Sequence, residues 1–246
     1  MYYVLIKFGQ EEAAVICAAK PKNMGRMIVI EGLDGSGKST QISLLKKYLE
    51  EKGCAYRQIK LPDYEDPSST LVRMYLGGAF GNKPEDVGAF AASAFFAVDR
   101  FASFKQHWKA DYDEGKLILA DRYTTSNAYH QLEKMPREDW DAYIQWLEDF
   151  EYVKLGIPKP DAVIYLDMPI EISQQLMSAR SEKTGEKKDV HEADVGYLHR
   201  CREAAMYAAE KMGWHVITCA ENGKPLSIEK IAQMIADALP GELVYA

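Results

Sequence analysis

The chain has few cysteines, and those it has are widely separated. Its 246 residues include only Cys17, Cys54, Cys201 and Cys219, with no Cys-x-x-Cys pair. This spacing disfavours a zinc site or a disulfide framework and predicts free thiols in a reducing compartment. No apolar run approaches the roughly 20 residues that cross a bilayer, so we expect no membrane partner. Excess positive charge is also missing, and the net charge of −7 disfavours a general nucleic-acid binder.

Short apolar runs alternate with segments of helical period along the chain. The predicted strands are Met27–Glu31, Ala55–Lys60, Lys116–Ala120, Ala162–Asp167 and His215–Cys219. The predicted helices are Ser39–Lys52, Ser68–Leu76, Pro84–Trp108, Thr124–Glu133, Arg137–Lys154, Pro169–Arg180, Val195–Met212 and Ser227–Leu239. This alternation is typical of an α/β fold in which a five-stranded parallel sheet is flanked by helices on both faces.

Two segments stand apart from this pattern. Residues 1–26 precede the first core strand, and we expect a weakly packed extension, with Met24 or Met27 as a possible functional start. Glu11 and Glu12 interrupt the apolar character there and disfavour a signal peptide. The core domain is then expected to span residues 27–246. Its polar, lysine-rich stretch at about 181–192 predicts a mobile lid between two helices.

The strongest motif is Gly-Leu-Asp-Gly-Ser-Gly-Lys-Ser at residues 32–39, between a predicted strand and a predicted helix. It predicts a phosphate-binding loop, in which glycines let backbone N–H groups point at phosphate oxygens. Lys38 adds a positive charge for the β- and γ-phosphates, and the Ser39 hydroxyl is placed to bind Mg²⁺. The predicted nucleotide-binding residues are Gly32, Leu33, Asp34, Gly35, Ser36, Gly37, Lys38, Ser39 and Thr40.

A second motif, Asp121-Arg122-Tyr123, follows the apolar run Leu117–Ala120. The carboxyl ends of parallel strands face the ligand crevice, so both charged side chains are expected beside the phosphate loop. Asp121 is suited to hold a water bound to Mg²⁺, and Arg122 to grip a second phosphate with its planar fork. The alternative is a simple Asp–Arg ion pair at a strand end.

Taken together, five segments resemble the thymidylate kinases, from Met27 to near Leu239. They are Glu31–Gln41, Phe96–Arg100, Asp121–Asn127, Gly156–Asp161 and Tyr165–Asp167. The resemblance implies a P-loop NTPase-type three-layer fold, ATP as phosphoryl donor, Mg²⁺ as cofactor, dTMP as acceptor and a homodimer. It further implies a cytoplasmic enzyme that converts dTMP to dTDP.

The resemblance assigns the thymine site to two segments. It implies that Phe96 stacks on the base, that Arg100 binds the base edge near the phosphate, and that Ser126 and Asn127 bond its N3 and O4 edge. From the residues alone, Phe96 could instead belong to a helical aromatic core cluster. Ser126 and Asn127 could instead form a helix N-terminal cap.

Three further residues are assigned less directly. Asp34 matches a family acid that approaches the sugar 3′-hydroxyl and places the acceptor. Arg73 could reach the acceptor phosphate, or be an ordinary surface arginine. His130 stands where the family often has tyrosine near the sugar 2′ position, and it could equally be a surface histidine.

The chain departs from the family pattern at its source of catalytic charge. Some relatives carry arginine in the phosphate loop, where this chain has Gly35, and those without it usually supply arginines from the lid. Four lid cations could therefore meet the transferring phosphoryl group: Arg180, Lys183, Lys187 and Lys188. Among them we favour Arg180, because its planar fork can bridge two phosphate oxygens. The predicted catalytic residues are then Lys38, Asp34, Arg122 and Arg180. Glu192 matches a lid motif, whereas Val190 does not.

Two rival functions remain at this point. One is a kinase for another nucleoside monophosphate or for a deoxynucleoside, which substrate kinetics would distinguish. The other is a regulatory GTPase, which would read guanine with Asn-Lys-x-Asp, and that tetrapeptide is absent from the chain. The motifs favour in-line phosphoryl transfer, with no protein nucleophile needed.

Overall fold

The computed structural model describes residues 2–5, 15–18, 25–184 and 194–244. A five-stranded parallel sheet forms its centre, in the spatial order β4-β5-β3-β6-β7. These strands are β3 Arg26–Glu31, β4 Tyr56–Lys60, β5 Leu117–Asp121, β6 Ala162–Asp167 and β7 His215–Thr218. The predicted strands and the predicted fold class are therefore confirmed.

Two antiparallel pairs lie outside this sheet. The first pairs β1 Tyr2–Leu5 with β2 Val15–Ala18, within the predicted extension. The second pairs β8 Ala220–Glu221 with β9 Lys224–Pro225, and the sequence had not predicted it.

The helices follow the strands in the order expected. They are α1 Lys38–Glu51, α2 Thr70–Leu76, α3 Ala89–Ser103, α4 Lys109–Asp113, α5 Thr124–His130, α6 Trp140–Glu148, α7 Ile170–Thr184, α8 Val195–Met212, α9 Ile228–Ala238 and α10 Gly241–Val244. Among the described residues, none of these helices has the length and apolarity that would cross a bilayer.

Alternating side chains of the central strands pack into two separate cores. Met27 and Val29 of β3 join an aromatic-rich cluster on one face, while Ile28 and Ile30 join an aliphatic cluster on the other. This period-2 division is what a strand buried on both faces produces, and it gives the molecule three layers.

Three predicted helices differ from the structure in detail. The predicted Pro84–Trp108 is a 3₁₀ turn, then α3, then a π-helical segment at Phe104–Trp108. The predicted Arg137–Lys154 likewise ends in a π-helical segment at Asp149–Lys154. Helix α7 continues to Thr184, so the first residues of the expected lid loop are helical, and residues 185–193 lie outside the described part.

Candidate active site

The phosphate loop lies between β3 and α1, as its flanking sequence predicts. Its lysine is held by the loop itself, because Lys38 Nζ donates to the carbonyl oxygens of Gly32 at 2.8 Å and Leu33 at 3.0 Å. Burial and the nearby Arg122 charge lower the pKa of Lys38 to about 8, although Asp34 acts in the opposite direction. The Lys38 side chain is thus a structural part of the loop as well as a charge facing the site.

Gly35 shows why this loop has no arginine. Its φ is +78°, and a Cβ there would lie 2.6 Å from the carbonyl oxygen of Ser173 and 2.7 Å from Cγ of Met177. Both contacts come from α7, and one of them is rigid backbone. Any side chain at position 35 would therefore displace α7 or distort the loop.

One cavity of about 720 Å³ opens beside this loop and collects most of the predicted site. The predicted residues that line it are Asp34, Gly35, Ser36, Gly37, Lys38, Ser39, Thr40, Phe96, Arg100, Asp121, Arg122, Ser126, Asn127 and His130. Gly32 and Leu33 contribute through the carbonyl groups that hold Lys38.

Arg122 connects the two predicted motifs. Its Nη2 donates to Asp34 Oδ1 at 2.7 Å, and its Nη1 donates to the Tyr129 hydroxyl at 2.8 Å. Burial alone would raise the pKa of Asp34, but the charges of Arg122, Lys38 and His130 hold it well below its usual range. Arg122 has φ of 66°, a strained backbone angle for a non-glycine residue, of the kind that collects at functional sites.

Glu31, the last residue of β3, organises the wall behind Arg122. It is fully buried and accepts bonds from the Tyr123 N–H, the Thr125 hydroxyl at 2.7 Å and the Tyr129 hydroxyl at 2.8 Å. Ser126 Oγ also donates to it, at 2.9 and 3.0 Å. The Ser126 hydroxyl is therefore bonded to Glu31. Its neighbour Asn127 is instead linked to Arg100, because both side chains bond the carboxylate of Glu151.

Another wall of the cavity carries Phe96, Arg100 and Asn127. Phe96 is half-buried and meets the Tyr75 ring edge-on at 6.2 Å, at the margin of a small aromatic cluster. Arg100 is buried, and its guanidinium is paired with Glu151. Two of its nitrogens, Nε and Nη2, bond that carboxylate. Its contact with the base edge near the phosphate stays a prediction.

The structure does not bring Arg73 to the cavity. Its guanidinium donates to the carbonyl oxygens of Tyr64 at 2.6 Å and Asp66 at 3.1 Å, and to the Ser69 hydroxyl at 2.7 Å. Arg73 therefore stabilises the turn before α2 and does not line the cavity, and its contact with the acceptor phosphate stays a prediction.

The remaining predictions concern His130 and the lid cations. His130 lines the cavity, and its Nδ1 lies 3.1 Å from the Tyr197 hydroxyl of α8. It is thus a wall residue held from behind, and not a plain surface histidine. Arg180 and Lys183 lie on α7 with side chains outside the described part, and Lys187, Lys188, Val190 and Glu192 lie outside the described residues altogether.

Comparison with known proteins agrees with this geometry. The family model described as thymidylate kinase matches residues 30–235. A probable thymidylate kinase of Thermococcus gammatolerans is 31% identical over 225 residues, which are 90% of this chain and 99% of the relative. The chain belongs to the thymidylate kinase family. A thymidylate kinase of Akkermansia muciniphila is 30% identical over 87% of this chain and 91% of the relative.

A solved structure supports the fold independently. The thymidylate kinase of Candida albicans matches with a TM-score of 0.66 at 22% identity, covering 91% of this chain and 94% of that chain. The family model and the curated relatives confirm the predicted resemblance and the predicted class of enzyme, a phosphotransferase.

The donor set of this family member fits a magnesium ion. The exposed hydroxyl of Ser39 and the buried carboxylate of Asp121 both line the cavity beside the phosphate loop. Both are oxygen donors, and Mg²⁺ prefers few protein oxygens together with waters and substrate phosphates. The predicted ligands therefore suit the ion.

Sequence reasoning missed two buried acids of this thymidylate kinase family member, Glu31 and Glu151. Glu31 carried a detectable signal, because it ends an apolar strand just as Asp121 does. Glu151 carried none, since it lies in a polar-looking helical stretch 51 residues from the arginine that it holds.

Proposed function

We propose that this chain transfers the γ-phosphoryl group of ATP to dTMP, giving ADP and dTDP for dTTP synthesis. The observation that carries the proposal is one cavity lined both by the phosphate loop and by a wall with Phe96 and Asn127, with Arg122 also on its lining. Phosphoryl transfer needs positioning and charge neutralisation, and these walls provide both.

Different charged residues bind the donor phosphates of ATP and the acceptor phosphate of dTMP. Lys38 and the loop N–H groups face the donor phosphates, and Arg122, oriented by Asp34 and Tyr129, faces the acceptor phosphate. Arg180 belongs to α7, the helix whose Ser173 and Met177 lie against Gly35, and it supplies charge to the transferring group. Ser39, and Asp121 by way of water, would hold Mg²⁺, which would supply positive charge to neutralise the phosphates.

The thymine of dTMP and the purine of ATP bind to different parts of the cavity lining. Phe96, with Arg100 and Asn127, receives the thymine. Pro225, Leu226 and Ile228 form an apolar part of the lining beside α1, where Gln41 Nε2 donates to the Ile228 carbonyl oxygen at 3.0 Å, and this part suits the purine of ATP. Closure of the lid, at about residues 181–192, excludes water from the transferred group.

The test is ADP release from ATP with each of dTMP, dUMP, dCMP, dAMP, dGMP and thymidine. We expect dTMP to give the highest kcat/KM. A preference for thymidine would indicate a deoxynucleoside kinase, and hydrolysis of GTP without any acceptor would indicate a GTPase. Lys38→Met is the control, since any contaminating kinase would retain its activity in that preparation.

We also propose a homodimer formed through α3. Phe90, Ala91, Ala94 and Val98 lie on one stripe of this helix, and Phe90 and Val98 are about half exposed. Light scattering should give twice the chain mass for the wild type and half that value for Val98→Asp. Val195→Asp, an equally exposed valine on α8, should leave the mass unchanged.

The extent and setting of the domain complete the proposal. Residues 27–246 form the kinase domain and residues 1–26 an extension to it, in keeping with the family match over residues 30–235. The thiols of Cys54, Cys201 and Cys219 are free, which suits a protein of the cytoplasm.

A further inference from the structure

Glu151 is a buried carboxylate directly behind the cavity wall. It is fully shielded from solvent and lies in the π-helical segment Asp149–Lys154, where the Leu155 N–H bonds the Phe150 carbonyl oxygen five residues earlier. Widened turns of this kind are frequent at functional sites. Glu151 itself does not line the cavity, so it can act on a substrate only through its neighbours.

Those neighbours are two side chains that do line the cavity. Arg100 donates from Nε to Glu151 Oε2 at 2.6 Å and from Nη2 to Oε1 at 2.5 Å. Asn127 Nδ2 lies 3.3 Å from the same Oε1 atom. One carboxylate therefore orients an arginine on α3 and an asparagine on α5.

The bonds of Asn127 leave only one orientation for its amide. Besides Glu151 Oε1, its Nδ2 faces the carbonyl oxygen of Ser93 at 3.3 Å. Both partners are acceptors, so only the NH₂ group of the amide can face them. This chemistry fixes which end of the amide is nitrogen and which is oxygen. The carbonyl oxygen Oδ1 is therefore held on the other side of the amide, as an acceptor for a ligand.

Arg100 offers a hydrogen-bond donor, where Asn127 offers an acceptor. Its bonds to Glu151 use Nε and Nη2, so Nη1 is the guanidinium nitrogen that Glu151 does not engage. Burial lowers the pKa of Arg100, but the charge and hydrogen bonds of Glu151 outweigh burial and raise it overall. Arg100 stays a pure donor, with its charge balanced from behind.

We propose that Glu151 is a positioning residue that fixes the hydrogen-bond polarity of the base site, with an acceptor from Asn127 beside a donor from Arg100. Thymine and uracil present the matching edge, an N3–H donor next to the O4 acceptor. Cytosine presents the reverse, an N3 acceptor next to a 4-amino donor, and would leave both protein groups unpaired. This inference deepens the proposed function and rests on it.

The test compares kcat/KM for dTMP, dUMP and dCMP in the wild type and Glu151→Gln. The amide of glutamine has the same shape, but its NH₂ group faces Arg100 or Asn127 as donor against donor, and the Asn127 amide is free to turn. We expect kcat/KM for dTMP and dUMP to fall roughly 10- to 100-fold, while dCMP is unchanged or improves. The dTMP-to-dCMP ratio should thus fall at least about tenfold, with the KM for ATP unaltered.

Asp149→Asn is the matched control. It changes an acid to its amide in the same π-helical segment, but the Asp149 side chain is 49% exposed and paired with the exposed Lys154. We expect the wild-type ratio in this variant. A merely structural role for Glu151 would lower turnover of all three substrates equally and leave the ratio in place.

Loss of a buried charge could unfold Glu151→Gln, so its thermal transition is recorded first. If it is not folded, Glu151→Asp replaces it, because aspartate keeps the charge but is too short to reach Arg100 and Asn127 together. A folded variant that kept the wild-type dTMP-to-dCMP ratio would overturn the role of Glu151 alone. A wild-type chain that did not use dTMP would overturn the proposed function and this inference with it.

Discussion

Arg122 and Asp34 form an ion pair across the candidate active site, with Nη2 2.7 Å from Oδ1. The pair joins the residue that follows β5 to the phosphate loop that follows β3, 88 residues apart in the chain. Lys38 Nζ lies 3.7 Å from the same Asp34 oxygen. A single carboxylate thus sets both the direction of the arginine and part of the charge balance of the lysine.

Replacing Asp34 with asparagine should therefore have two effects. We expect kcat to fall roughly 10- to 100-fold, because Arg122 loses the charge that orients it toward the acceptor. Loss of the carboxylate also removes an attraction that raises the pKa of Lys38, so this pKa should fall further. Steady-state kinetics across pH would show both effects. Asp113→Asn, which removes an exposed acid paired with Lys109, is the control and should match the wild type.

The lowered pKa of Lys38 predicts a loss of activity in mild alkali. The positive charge is needed at the phosphates and disappears above about pH 8, so kcat/KM for ATP should decline with unit slope beyond that pH. Lys38→Arg should abolish this alkaline limb, and Lys38→Met should lower kcat/KM by roughly 100-fold or more. Lys134→Arg removes another lysine with a pKa of about 8 and should leave the limb in place.

The same lysine should affect stability with the opposite sign. Its pKa is lower in the folded state than the ordinary value of 10.5, so between about pH 8 and 10.5 the unfolded chain binds more protons. The contribution of Lys38 to the free energy of unfolding must then rise with pH in that window. The stability advantage of Lys38→Met over the wild type, measured by denaturant unfolding, should shrink from pH 7 to pH 10; an advantage that grew would contradict the assignment.

Gly35 should tolerate no side chain. Alanine there would meet the Ser173 carbonyl oxygen at 2.6 Å and would adopt a positive φ. We expect Gly35→Ala to weaken ATP binding and lower the thermal transition, and Gly35→Arg to do so more strongly. Gly53→Ala, also at positive φ but with nothing within 4 Å, separates backbone strain from the clash. Wild-type ATP affinity in Gly35→Arg would refute the explanation given for the missing loop arginine.

Phe96 and its neighbour Phe95 offer a paired test of base stacking. Phe96→Ala should weaken dTMP binding by about 1–3 kcal/mol while ATP binding barely changes. Phe95→Ala, which loses contacts with the Tyr75 and Phe80 rings, should act on thermal stability instead. Calorimetric titration and thermal melts of both variants distinguish the roles. A sharp loss of stability in Phe96→Ala with unchanged dTMP affinity would make it a core residue.

The lid cations remain to be ranked by experiment. Each of Arg180, Lys183, Lys187 and Lys188 would be changed singly to alanine. A cation that acts in the transition state should lower kcat with little change in the KM for ATP, and we expect this of Arg180. Wild-type kcat in all four variants would leave charge neutralisation to Lys38, Arg122 and Mg²⁺.

Local sequence was sufficient to determine the phosphate loop, the five core strands and the residues at their carboxyl ends. The residue spacing in these segments sets the local backbone conformation directly, because a glycine-rich turn after an apolar strand has few alternative conformations. Phe96 and Arg100 share a helix face for the same reason, since residues four apart lie one above the other.

Only the tertiary structure decided which charges meet. Glu151 pairs with Arg100, Glu31 collects the hydroxyls of α5, and Arg73 turns to its own loop, although nothing in the spacing of these residues distinguishes them. The same holds for Gly35, whose lack of space comes from α7, nearly 140 residues further along the chain. The reason is burial. A charge removed from water is stable only when it is paired, and its partner must be one of the side chains that packing brings within a few ångströms.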